Sequence, residues 1–235
     1  MRWLFAPDIT AVHGFSTRHG GVSPKPFASL NLGGKEDSPE NIAQNRKLAL
    51  SELNLEMDRV SYLDQVHGIT VCQARPGKQT GDALVTSERG LAIAVGAADC
   101  YPVLFHDEKN GVIGAAHCGW KGTLGRIVRH TLEEMRKLGA ESQQIRVAIG
   151  QGICRDKYEV SEEVITQFRE AGFPVDCWSG RQLDLLAANR FVALEAGIPE
   201  ENIWSMNRCT TEADFFSYRR DGGKTGRMWA VIMLK

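Results

Sequence analysis

Apolar residues fall in short unbroken runs punctuated by glycine and polar turns, with two clearly amphipathic stretches among them. Residues 91–98 and 112–116 are runs of five to eight residues bounded by Gly and turn residues, the pattern of strands buried on both faces. Residues 102–105 form a third short strand between them. Residues 106–111 then read as a hairpin turn with Asn110-Gly111 at its tip, which places His106 on the surface. Further strands are predicted at 60–63, 69–73, 82–86, 145–149, 203–206 and 228–234, with one short strand before the Gly-rich stretch that runs to residue 34.

The helical period appears in four places. Ser38-Pro39-Glu40 supplies an N-cap, a first-position proline and an acid in the first turn. That helix should run to about residue 53 with Ile42, Leu48, Ala49 and Leu53 inward. Residues 123–138 form the strongest amphipath, with Leu124, Ile127, Val128, Leu132, Met135 and Leu138 on one stripe and Gly139 as its stop. Helices are also predicted at 160–171 and 183–196. Strands outnumber helices and do not alternate strictly with them. The expected fold is therefore α+β, one domain over residues 1–235 with mixed sheets, and not a doubly wound parallel sheet.

Composition narrows the function. Net charge is −1, which argues against a nucleic-acid footprint. No apolar run is long enough to span a bilayer. The opening MRWLFAPDIT has no signal-peptide core, so cytoplasm is the expected location. The six cysteines form no C-x-x-C pair, and a chain of 235 residues does not need disulfide staples. Most are expected to be buried free thiols.

Three reactive residues each follow a strand-like run and sit beside small residues: His67 before Gly68, Cys100 after Ala97-Ala98, and His117 after Ala115-Ala116. Two His and one Cys are a set that binds a transition metal while leaving a fourth position open. They lie far apart in sequence. On the residues alone, two hydrogen-bonded core histidines and an inert thiol fit equally well.

Motifs spread along the chain go further. Asp64-Gln-Val-His67-Gly68, Ala98-Asp99-Cys100-Tyr-Pro102-Val-Leu, Ala115-Ala-His117-Cys-Gly119-Trp120-Lys-Gly122, Tyr158-Glu-Val160, Phe215-Phe-Ser-Tyr-Arg-Arg-Asp221 and Thr225-Gly-Arg227 occur in this order. Together they resemble the YfiH-like family, long labelled multicopper polyphenol oxidoreductase or laccase. That family is now described as zinc-dependent purine nucleoside phosphorylase with adenosine deaminase activity. The resemblance implies a layered α/β/β/α arrangement and His67, Cys100 and His117 as ligands of Zn2+. Three departures stand out, one of them Gly150-Gln151 where the family usually has Gly-Pro. Cys118 replaces the usual Ala and adds either a fourth ligand or a packed small side chain. Lys121 replaces the usual Arg and loses its bidentate fork.

The implied chemistry distributes roles. Zinc would activate water for attack at C6 of adenosine. Cys100, Asp99 and Arg46 are the candidate catalytic residues, with Asp99 moving a proton or orienting a ligand. Phosphorolysis also needs a phosphate site near the ribose. Its candidates are Arg46, Arg219, Arg220, Arg227 and the amides of residues 119–123 ahead of a helix. Asn45, Gln65 and Trp120 are candidates for the nucleoside. The expected partners are a nucleoside and phosphate, with neither nucleic acid nor membrane. Copper is the alternative metal, but a multicopper centre needs many more histidines than the six here, which include no H-x-H pair. Two other functions compete: an amidase that edits cell-wall (UDP-MurNAc-peptide) precursors, with Cys100 as nucleophile or ligand, and a non-catalytic metal-binding scaffold with a closed site.

Overall fold

Buried strands on both faces need a layer of structure on each side, and the fold supplies it. The computed structural model describes residues 2–34 and 36–235. In chain order the elements are β1 (Trp3–Leu4), β2 (Val12–Ser16), α1 (Pro39–Ser51), β3 (Val60–Asp64), β4 (Val71–Gln73), β5 (Gly77–Thr80), β6 (Ala83–Thr86), β7 (Ala92–Ala97), β8 (Tyr101–Asp107) and β9 (Val112–Cys118). Then follow α2 (Trp120–Leu124), α3 (Ile127–Lys137), β10 (Ile145–Ile149), α4 (Glu162–Glu170), β11 (Trp178–Ser179), β12 (Gln182–Leu183), α5 (Leu185–Glu195), β13 (Ile203–Ser205) and β14 (Met228–Met233).

Two six-stranded sheets face each other, in the orders β1-β2-β14-β7-β3-β5 and β13-β10-β8-β9-β6-β4. Both are mixed: β3 runs parallel to β5 and β7, while β14 is antiparallel to β2 and β7. Alternation along each strand sends successive side chains to opposite faces. Ile93, Val95, Leu104, Ala115 and Ile232 meet between the sheets. Ala92, Ala94 and Val231 pack outward against Ala49 and Leu50 of α1. Val103, Phe105 and Ala116 pack outward against Val128 and Leu132 of α3, Ile165 of α4 and Val192 of α5. The result is the α/β/β/α layering that the resemblance implied.

The Ser38 cap is as predicted, its side chain accepting from Asn41 N. Four expectations need correction. The amphipath at 123–138 is two helices, because Arg126 takes a left-handed φ of 62° between α2 and α3. On α1, Leu48 is only half-buried, and Asn45 is buried on that face instead. His106 is not at a turn: β8 extends to Asp107, pairing His106 with Ile113 and Arg146, and the side chain is buried. Finally, Cys154 and Cys209 are joined by a disulfide across 55 residues. Their loops follow β10 and β13, which are parallel neighbours, so topology brings together thiols that local spacing keeps apart. Cys72, Cys100, Cys118 and Cys177 are free.

Candidate metal centre

The parallel pairing of β3 with β5 and β7 sets the C-terminal ends of all three together. Each then hands the chain across to the second sheet, to β4, β6 and β8. His67 lies on the first crossover, Asp82 on the second and Cys100 on the third. His117 closes the group from the end of β9, where its backbone N–H donates to Asp82 O at 2.8 Å. One end of the sandwich thus gathers four chemically capable residues from distant stretches of sequence.

The ligand atoms of His67, Cys100 and His117 all lie within 4.8 Å of one another. Among the described residues this is the one such group of three or more His, Cys, Asp or Glu. His117 and Cys100 are largely enclosed, while His67 is exposed and opens the group to solvent. The two imidazoles meet edge to face at 4.8 Å.

Asp82 holds this arrangement in place, and sequence reasoning missed it. Fully buried, its carboxylate accepts from the backbone N–H of His67 (2.9 Å) and of Gly68 (2.7 Å) and pairs with His117 Nδ1 (3.1 Å). The first two bonds fix the turn in which His67 takes a left-handed φ of 59°. The third directs the other nitrogen of His117 to the cluster, the usual way a carboxylate orients a ligating imidazole. Burial opposes ionisation of Asp82, but these donors outweigh it and hold its pKa below the usual carboxylate value. The only sequence signal was an acid opening an apolar strand.

The donor set suits a metal. Burial opposes ionisation of Cys100, yet the His117 charge and hydrogen bonds from His117 and His67 win and bring its pKa down to about 6. Burial likewise opposes protonation of His117, and the Cys100 and Asp82 charges overcome it, raising the value to about 9. Cys100 is therefore poised as a thiolate, the form that ligates a metal. Gly119 keeps the space above the cluster open. A Cβ there would lie 3.0 Å from Cys100 Sγ and 3.3 Å from His67 Cδ2. Cys118, next in the strand after His117, points to the opposite face. It packs between the second sheet and the helices, where burial raises its thiol well above the usual value. The three residues can hold a metal ion with a fourth position left over.

The remaining candidates divide. The Asp99 carboxylate accepts from Thr210 Oγ1 (2.6 Å) and Arg219 N (2.7 Å), fastening the 206–227 connection beside Cys100. Arg219 stacks over Tyr158 at 5.1 Å and donates to Lys157 O and Glu159 O. Tyr158, whose phenol burial and the Cys100 charge push upward, had no role assigned from the sequence. Arg220 donates to the carbonyls of Thr210, Thr211, Glu212 and Phe215 and to Asp221, so its guanidinium is consumed in holding the loop. Asn45 is fully buried, bonded to Val22 N, Ser23 Oγ, Ser29 O and Asn31 O, and organises the 22–31 loop instead of facing a ligand. Gln65 bridges both backbone groups of Gly96. Arg46 packs over the rings of Tyr62 and Trp229, 4.6 Å from each. Arg227, just ahead of β14, stacks over the Tyr218 ring at 5.8 Å and donates to Thr225 O and Gly226 O. Trp120 is half-buried under the Lys121 ammonium, and the 119–123 amides belong to a helix of five residues.

His13, His19, His106 and His130 do not converge on a second cluster among the described residues. His13 bonds Ala6 N and Ala11 O, His19 pairs with Asp214, and His130 with Glu133. No helix is long and apolar enough to cross a membrane among the described residues.

Comparison with known proteins agrees with this architecture. A purine nucleoside phosphorylase of Deinococcus radiodurans is 49% identical over 98% of this chain and 92% of its own length. A protein named adenosine deaminase RL5, from an unknown prokaryote, is 32% identical over 98% of this chain and 97% of its own. The crystal structure of YlmD from Geobacillus stearothermophilus superposes with a TM-score of 0.94 at 36% identity, covering 100% of this chain and 97% of that one. Bacillus licheniformis YfiH superposes with a TM-score of 0.90 at 32% identity, covering 95% and 92%. Residues 12–235 match the family model described as multi-copper polyphenol oxidoreductase laccase, and the chain belongs to that YfiH-like family.

Proposed function

We propose that the chain is a zinc-dependent enzyme of purine nucleosides. It cleaves the N-glycosidic bond of adenosine, inosine or methylthioadenosine with phosphate and also deaminates adenosine. The convergence of His67, Cys100 and His117 carries this reading, set in a chain that is 49% identical to a purine nucleoside phosphorylase. The adenosine deaminase among the relatives supports the second activity.

His67, Cys100 and His117 would hold the zinc. Bound there with three protein ligands, the ion supplies Lewis acidity able to bring water to hydroxide near neutral pH. The protein's own residues do the positioning. Asp82 sets the His117 ring and the His67 turn. Asp99 spends its carboxylate on Thr210 and Arg219, so its contribution is to hold the loop against Cys100, not to carry protons. Gly119 reserves room for the reacting atom, and exposed His67 marks the entry side. Zinc is preferred to copper because the described histidines offer no second cluster for multicopper chemistry.

Chromatography of adenosine incubated with zinc-loaded protein, with and without phosphate, tests the reading. Adenine and ribose 1-phosphate should appear only with phosphate, and inosine in both tubes. No product in either tube would refute it.

A further inference from the structure

Both chain neighbours of the candidate ligand Cys100 are tied to one residue, Ile153. Ile153 N donates to Asp99 O (2.8 Å), and the Tyr101 hydroxyl donates to Ile153 O (3.1 Å). Asp99 is also held from a second side, where the buried Thr210 Oγ1 donates to its carboxylate at 2.6 Å. Its φ is 92°, a left-handed value that a residue with a side chain keeps only when its surroundings impose it. Two loops therefore set the backbone that enters Cys100, one following β10 and one following β13.

The disulfide sits one residue away from each anchor, with Cys154 beside Ile153 and Cys209 beside Thr210. Among the described residues, two backbone hydrogen bonds also join segments 150–154 and 207–210. They run from Thr210 N to Gly152 O (2.9 Å) and from Gly152 N to Arg208 O (3.4 Å), the second of them long. A third bond, from Cys154 N to Cys209 Sγ (3.1 Å), uses the disulfide itself. The S–S bond is thus the one covalent tie between the two loops that grip Asp99. It is also within reach of a reagent. Both cysteines are half-buried, and Arg155, Asp156 and Lys157 just after Cys154 are exposed.

We propose that Cys154–Cys209 is a reversible redox site that controls the metal centre. Closed, it holds Ile153 and Thr210 against Asp99 and so sets Cys100; reduced by a dithiol, it releases both loops and loosens the ligand. One thiolate of the dithiol attacks a disulfide sulfur, the S–S bond breaks, and the departing thiolate takes a proton. The second thiol of the reductant then displaces the other cysteine, leaving two protein thiols and an oxidised, cyclic reductant. The zinc readout rests on the proposed metal ligation, whereas amide exchange in the metal-free protein does not. Oxidised wild type is compared with wild type reduced by dithiothreitol and freed of it without air, and with the double variant Cys154→Ser, Cys209→Ser. Competition against a chromophoric chelator should show zinc held at least about fivefold more weakly in both open forms, the low end of coupling between sites. Reoxidation with oxidised glutathione should restore the wild type alone. Hydrogen exchange in the metal-free protein should quicken at the Ile153 amide on reduction, with the amide of Val95 in β7 unchanged, which a general loss of stability would not produce. In Thr210→Val, which cuts the second grip on Asp99, reduction should weaken zinc binding by less than it does in the wild type. If the double variant does not fold, the reduced wild type and Thr210→Val carry the test. Zinc affinities within twofold in oxidised and reduced wild type would overturn the proposal, as would unchanged exchange at Ile153 or fully additive effects in Thr210→Val. Quickened Ile153 exchange in a protein that binds no zinc would leave the clasp on Cys100 standing and remove the zinc reading instead.

Discussion

Replacing Asp82 by Asn tests the metal centre through a residue that touches no metal. The carboxylate serves three donors with two oxygens: the N–H groups of His67 and Gly68, and His117 Nδ1. An amide has one acceptor oxygen and an NH2, so at least one of the buried donors loses its partner. An unmade hydrogen bond of that kind costs about 1–3 kcal/mol. The variant also loses the charge that favours the His117 orientation. Loss of a carboxylate behind a ligating histidine typically weakens metal binding by about 10–100-fold. That corresponds to about 1.4–2.7 kcal/mol. Competition for zinc against a chromophoric chelator at pH 7 measures the affinity, and thermal melting of the metal-free proteins measures stability. Because the folded-state pKa of Asp82 is depressed, its stabilisation is present above about pH 4 and lost as pH falls through the folded value. The gap in melting temperature between wild type and variant should therefore narrow on acidification. Zinc affinity of Asp82→Asn within twofold of wild type would refute the assigned role.

Gly119→Ala adds one methyl at a backbone φ of −79°, which alanine tolerates, yet its Cβ would sit 3.0 Å from Cys100 Sγ. Zinc affinity should drop with the melting temperature of the metal-free protein nearly unchanged, and a chelator titration compares the two. Burial opposes ionisation of Asp37, but hydrogen bonds from Ser23, Asn31, Asn41 and Ser38 depress its pKa. Its contribution is present above about pH 4 and lost below. Asp37→Asn should thus be less stable than wild type at pH 7 and converge with it near pH 2 in urea titrations. Cys154→Ser opens a loop of 55 residues, and the chain-entropy model puts the loss at about 4 kcal/mol. Urea unfolding with and without a dithiol reductant should show that only the wild type is destabilised by the reductant.

The layers were readable because apolar runs on buried strands and the stripe of α3 report burial directly. Ser38 announced α1 by its cap chemistry. The residues that failed did so where tertiary structure overrides local signal. His106 sits in a polar-looking turn sequence, but pairing with β9 and β10 carries the strand through it. Arg126 breaks a helix whose hydrophobic stripe continues across the break. The disulfide depends on two parallel strands placing their loops side by side. The three candidate ligands could be singled out through motifs, not through spacing, since two crossovers between sheets and the end of β9 must meet before His67, Cys100 and His117 do. Asp82 left almost no trace for the same reason: its role exists only once those crossovers are adjacent. Asn45 and Arg220 have side chains suited to ligands, but the loops take up their hydrogen-bonding capacity.

X-ray absorption spectroscopy of the zinc-loaded protein tests the central assignment most directly. One sulfur at about 2.3 Å, two nitrogens at about 2.0–2.1 Å and one further light atom are expected for Cys100, His67, His117 and an open position. Substituting Cys100 by Ser should remove the sulfur shell. A site with no sulfur, or with two, would contradict the account.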